Sequence, residues 1–191
     1  MLFRSGTATL PAVSRHAAQQ DHAAVRSTIA DSMTLMMLLN VPATIGLMVL
    51  ATPIVRVIFE RGAFTPDATV ATAAALRFYA LGLLGYSVVR IASPTFYAIG
   101  QNRTPVKVSV ATVFVNAALN IGLVRLMGFR GLALGTSIAA LFNATLLMIL
   151  LRRQLKGIEA PRILAFLLRI LVAAAAMGIA AAAVEIGRAH V

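Results

Sequence analysis

An all-α, polytopic membrane helix bundle of about five spanning helices is the fold class this sequence predicts, and three observations carry it. Mean hydropathy is +0.88. Of the 191 residues, 60% are hydrophobic and only 12% are charged, far more apolar than one soluble core of this size needs. Residues 32–55, 108–124 and 131–151 contain no charged side chain, and each run is about long enough to cross a bilayer. Between the apolar runs lie short segments rich in Gly, Pro, Arg and Lys, which is how turns at a membrane surface read.

The elements follow in order. Residues 6–11 are short and apolar, and read as the stub of a helix. Residues 14–31 are polar and read as a surface loop with a helical portion. The run 32–55 is the first span. Pro42 and Pro53 lie inside it, and membrane helices tolerate such breaks when neighbours satisfy the freed carbonyls. The segment "RVIFERGAFTPDA" supplies a turn, with Thr65 or Asp67 as the helix N-cap. The second span, about 67–99, is interrupted by Arg77 and Arg90. "GQNRTPVK" is the next turn, with Thr104 as N-cap and Pro105 in the first helical turn. The spans 108–124 and 131–151 flank "RLMGFRG". After "RRQLKGIEAPR", residues 163–184 form a fifth, Ala-rich span apolar except for Arg169.

The two ends are expected not to belong to the protein. The start "MLFRS" and the tail "EIGRAH" can be encoded by reverse-complementary DNA that resembles a sequencing adapter. Residues 1–5 and 185–191 are therefore expected to be adapter-derived, leaving 6–184 as a fragment.

Charge distribution sets the expected orientation. One set of loops holds Arg15, Arg26, Arg103, Lys107, Arg152, Arg153, Lys156 and Arg162; the opposite set holds Arg56, Arg61, Arg125 and Arg130. The richer set is expected on the cytoplasmic side. Net charge is +11, but the cations sit between apolar runs. They face an anionic leaflet, and no nucleic acid partner is implied. There is no cysteine, so thiol catalysis and Cys-based metal sites are excluded. Asp21, Asp31, Glu60, Asp67 and Glu159 all fall in loops or at helix ends, and His16 and His22 share a polar loop. No catalytic constellation is left.

Two groups of residues are candidates for function. Asn116 and Asn120 are spaced i, i+4, so both lie on one face of an apolar helix. Unpaired amides in hydrocarbon are costly. That face must look into protein as an interhelical hydrogen-bond seam, or form part of a cation or polar-substrate site; Thr136, Ser137 and Asn143 are in a position to answer from the next helix. Arg77 and Arg90 lie within a span. Each is either a cavity-lining cation suited to phosphate or a snorkelling anchor. Arg169 reads as an anchor.

In order and spacing, "GTATLPAVSR", "VIFERGAFTPDA", "YALGLLGYSVVRIASPTFYAIGQNRTPVKVS" and "NAALNIGLV…GFRGLALGTSIAALFNATLL" together resemble the MurJ (MviN) family of lipid II flippases. The likeness covers residues 6–184. It implies a larger transporter of fourteen helices in two lobes, within the multidrug/oligosaccharidyl-lipid/polysaccharide exporter superfamily. This chain would run from the end of the eighth helix through part of the thirteenth, in the C-terminal lobe. The implied partners are lipid II or a related polyprenyl-diphosphate lipid, membrane lipids, and the missing N-terminal lobe. The implied location is the bacterial inner membrane. The activity is transport by alternating access, not catalysis; the alternatives are a drug or polysaccharide exporter of the same superfamily, or a membrane-embedded polyprenyl-diphosphate enzyme. Some family members hold sodium in this lobe. Carried over, the resemblance assigns that ion to Asn116, Asn120, the Leu132 carbonyl and Thr136, with a further carboxylate from a helix outside this sequence. Asn120 stands where a sodium-binding member has aspartate, so any sodium bound is expected to be weak.

Overall fold

The structure, a computed structural model, describes Val13 and residues 21–189. The expectations for 1–5, 6–11, Arg15, His16 and 190–191 lie outside these residues. Residues 21–189 hold six helices: α1 (His22–Val49), α2 (Ala51–Phe59), α3 (Pro66–Ala98), α4 (Arg103–Met127), α5 (Phe129–Gln154) and α6 (Ala160–Ala189). Among the described residues there is no strand. Among the described residues five stretches are long and apolar enough to cross a membrane: Ala23–Val49, Pro66–Ala98, Arg103–Met127, Phe129–Gln154 and Pro161–Val184. The chain is an all-α, multi-pass membrane protein.

Of the polar segment before the first span, the described part, residues 21–31, is helical from His22. Asp21 caps α1, its carboxylate accepting from the backbone N–H of Ala23 at 3.1 Å and of Ala24 at 2.9 Å. The helical portion of that segment is therefore the first turns of the spanning helix. It is held there because Val25, Ile29, Ala30 and Met33 form a buried stripe.

The first span is not one helix over 32–55. It stops at Val49 and restarts at Ala51, with Leu50 at φ −91°, ψ 13° between them. Pro53 has no N–H to offer the Val49 carbonyl, and its ring crowds that carbonyl, so the ladder breaks one turn before it. Pro42 is absorbed within α1. At the next turn Thr65, not Asp67, is the cap, accepting from Ala68 N–H at 3.3 Å, and Pro66 takes the first helical position. At the α3–α4 turn the helix begins at Arg103 with Asn102 at the cap position, so Thr104 lies inside the first turn and does not cap it. A single residue, Gly128 at φ +60°, ψ −141°, separates α4 from α5. A side chain there would be strained.

The helices pack side by side in the order α4, α5, α3, α1, α6, with α2 lying on α3. The main core joins Ile29 and Met33 of α1, Phe96 of α3, and Leu147 and Leu151 of α5. A second cluster joins Val41 of α1 to Ile170 and Ala174 of α6. A third, small one joins Ala51 and Val55 of α2 to Ala73 of α3. At the basic end Arg162 binds Asp31 of α1 at 2.8 Å and Glu159 at 3.1 Å, fastening the start of α6 to α1.

Candidate functional site

The two asparagines sit where α4 meets α5. Both are half-buried. Gly131 and Gly135 of α5, one turn apart, let α4 come close: a Cβ on Gly131 would overlap the Leu123 carbonyl, and one on Gly135 would overlap the Asn120 carboxamide oxygen. Small residues at such a spacing are how membrane helices reach close contact without a hydrophobic drive. Asn120 is thus seated directly on the backbone of α5.

The carboxamide oxygens are what distinguish this seam. Among the described residues, five buried side-chain oxygens have no hydrogen-bond donor. Three of them are Oδ1 of Asn116, Asn120 and Asn143, so the unmet acceptors concentrate on α4 and α5. Leaving such an atom unmet in a dry interior costs about 1–3 kcal/mol. The neighbouring oxygens are arranged differently. The Thr136 hydroxyl donates to the Leu132 carbonyl at 2.8 Å, which brings both oxygens to one point on α5. Ser137 turns the other way and donates to the Phe78 carbonyl of α3 at 2.6 Å. It does not answer the asparagines across the α4 interface, because it projects from the opposite side of α5.

Neither α4 nor α5 carries an acidic side chain. Glu60, Asp67 and Glu159 are at helix ends, whereas Asp31, expected at a helix end or in a loop, lies inside α1; Glu60 accepts from Thr69 at 2.7 Å, and Asp31 and Glu159 pair with Arg162. Carboxamide, carbonyl and hydroxyl oxygens are the hard neutral donors a sodium or similar cation takes. Asn116, Asn120, the Leu132 carbonyl and Thr136 are oxygens of that type and carry no negative charge.

The two intramembrane arginines part ways. Arg77 reaches across to the junction of α1 and α2: its Nε donates to the Met48 carbonyl and its Nη2 to the Thr52 hydroxyl, both at 3.1 Å. Arg90 is exposed and makes no hydrogen bond or ion pair among the described residues. Neither lines the cavity of about 770 Å³ between α1, α3, α5 and α6, whose wall includes Met33, Met37, Asn40, Leu84, Met148 and Arg152. Sequence reasoning missed Arg152 and Asn40 there, since neither carries a motif. It also passed over the Gly131/Gly135 pair, whose one-turn spacing was the available signal.

A family profile described as lipid II flippase MurJ matches residues 4–189. The chain is 35% identical over 181 residues to a probable lipid II flippase MurJ of Bdellovibrio bacteriovorus, covering 95% of this chain and 35% of that protein. It is 37% identical over 141 residues to the corresponding Rickettsia prowazekii protein, covering 74% of this chain and 28% of that one. A solved structure of lipid II flippase MurJ in an inward closed conformation superposes with a TM-score of 0.77 at 26% identity, over 92% of this chain and 36% of the other. The chain spans about a third of the length of such relatives.

Proposed function

Because the chain belongs to the MurJ lipid II flippase family, we propose that it forms part of the C-terminal lobe of a flippase. The flippase carries lipid II, or a related polyprenyl-diphosphate lipid, from the inner to the outer leaflet of the bacterial cytoplasmic membrane by alternating access. The observation that carries this is the continuity of the match, from residue 4 to residue 189, on a bundle whose helices superpose on a flippase at a TM-score of 0.77. The physical demand is to pass an anionic, sugar-bearing head group while its lipid tail stays in the bilayer. A polar cleft between this lobe and the remainder of the protein meets that demand. On this reading Arg90, exposed and without a partner among the described residues, is the cation of this piece that meets the diphosphate. Arg77, the other candidate, has both arms engaged.

Asn116, Asn120, the Leu132 carbonyl and Thr136 are proposed as a weak sodium site. When bound, the ion supplies the positive charge that a helix movement can be coupled to. Asn120 lies against Gly135 where α4 meets α5, and the unmet oxygens of Asn116 and Asn120 favour any state that brings them a cation or a donor.

The test uses the full-length protein in cells depleted of their own flippase. Wild type restores growth and the appearance of lipid II in the outer leaflet; Arg90→Gln lowers both and Arg90→Lys retains most of each. Failure of the wild type to move lipid II, with export of a drug or a polysaccharide-bearing lipid in its place, would transfer the protein to a sister branch of the superfamily.

A further inference from the structure

We propose that Arg77 is a positioning residue: it clamps the break between α1 and α2 and thereby sets the pose of α2 in the transporter. The clamp stands on geometry; its consequence for transport rests on the flippase reading above.

The break creates a problem that the bilayer cannot solve. Leu50 N–H donates to Gly46 O at 2.8 Å, and the ladder resumes with Ile54 N–H donating to Leu50 O at 3.0 Å. Around that step the last carbonyls of α1 lose their helical donors, and Pro53 cannot restore one of them. In hydrocarbon an unmet carbonyl has no water to turn to. Arg77 has the converse problem. It sits about 16 Å along α3 from Pro66, at 1.5 Å per residue, and a guanidinium at that depth needs acceptors.

Each defect meets the other. Nε takes the Met48 carbonyl at the end of α1, and Nη2 takes the Thr52 hydroxyl in the first turn of α2. One rigid, planar fork therefore spans both sides of the break from a third helix, which a point-charge ammonium cannot reproduce with the same directionality. Other contacts hold α2 mainly to α3 and only slightly to α1. Ala51 and Val55 pack on Ala73, and Glu60, just past α2, accepts from Thr69 of α3 at 2.7 Å. Arg77 is the side chain of α3 that hydrogen-bonds on both sides of the break.

The experiment places nitroxide labels through Leu39→Cys on α1 and Ile58→Cys on α2, both more than half exposed at 54% and 58%, in full-length protein otherwise free of cysteine. Pulsed electron resonance then reads the distance between them. Wild type gives one narrow distribution. Arg77→Leu shifts or broadens it by about 5 Å, one helical turn, and Arg77→Lys does so less. Adding Pro53→Ala to Arg77→Leu narrows it again near about 28 Å, the span of nineteen residues in an unbroken helix, because the ladder can then close on its own. Lipid II appearance in the outer leaflet falls several-fold in Arg77→Leu and recovers in part in Arg77→Lys.

A distribution for Arg77→Leu that superposes on wild type overturns the clamp. A shifted distribution with unchanged transport overturns the positioning role. If wild type itself moves no lipid II, the flippase reading fails while the distances still decide the clamp. Should Arg77→Leu not accumulate in the membrane, Thr52→Val removes one acceptor only; a smaller broadening is expected, and a wild-type distribution counts against the clamp.

Discussion

The two faces of α5 use the same device to different ends. Toward α3, Gly82 and Gly85 meet Ser137 and Ala140. A Cβ on Gly85 would lie 2.6 Å from the Ala140 carbonyl carbon and oxygen, and one on Gly82 would lie 2.9 Å from Ser137 Oγ. The contact is closed by a hydrogen bond from Ser137 to Phe78 O. Toward α4, Gly131 and Gly135 again permit close approach, but the polar atoms brought together are acceptors, and the Asn116 and Asn120 oxygens have no donor. Small residues thus give proximity in both places. Whether a seam is finished or still open is set by the donor–acceptor balance of the polar groups it buries. The α3 face is a closed joint, and the α4 face keeps unmet acceptors.

The largest effect expected is at the closed joint. Gly85→Leu drives a side chain into the Ala140 backbone, which cannot rotate away; a loss of about 3 kcal/mol follows from overpacking of this kind. Chemical denaturation of the purified full-length protein reads it, and a midpoint within error of wild type would mean that the joint yields. At the open face, Asn120→Asp supplies the missing charge. Sodium should then raise the melting temperature, with affinity about tenfold above wild type, or about 1.4 kcal/mol. Asn120→Leu should impair flipping; normal transport there, with no sodium response in Asn120→Asp, would leave only packing.

A sharper contrast comes from Gly135→Ala. The atom its Cβ meets is the far end of the Asn120 side chain, which can swing aside. The stability cost should stay near or below about 1 kcal/mol, the order of a helix-interior Gly/Ala difference, while the sodium response of an Asn120→Asp background is blunted. Equal damage from Gly135→Ala and Gly85→Ala would erase the distinction between the faces. Ser137→Ala should be the mildest change. It removes one interhelical hydrogen bond, worth about 0.6 kcal/mol on average in a membrane bundle, and leaves the sodium response untouched.

Much of the fold was legible because hydrocarbon imposes simple rules. Charge-free runs marked the spans, and Gly62, Gly100, Gly128 and Gly157, all at positive φ, marked the turns, since these conformations favour a residue without a Cβ. The start of α1 was less legible, because a polar stretch was judged by composition when its Val25, Ile29 and Met33 already carried the buried stripe. At the candidate site, the i, i+4 spacing put Asn116 and Asn120 on one face. It carried no information about what that face would meet.

By itself the sequence determined the number of spans, the approximate turns and the pairing of the two asparagines, since all three depend on local periodicity and on the cost of charge in lipid. Only the tertiary structure decided that Ser137 serves Phe78, 59 residues away, that Asn120 rests on Gly135, and that Arg77 reaches the carbonyl of Met48, 29 residues upstream of it, beside the break. Each of these is a contact between a polar group and a partner on another helix. A helix face can be read from spacing, but the direction in which it is turned is settled only when the helices pack together and every buried donor finds, or fails to find, an acceptor.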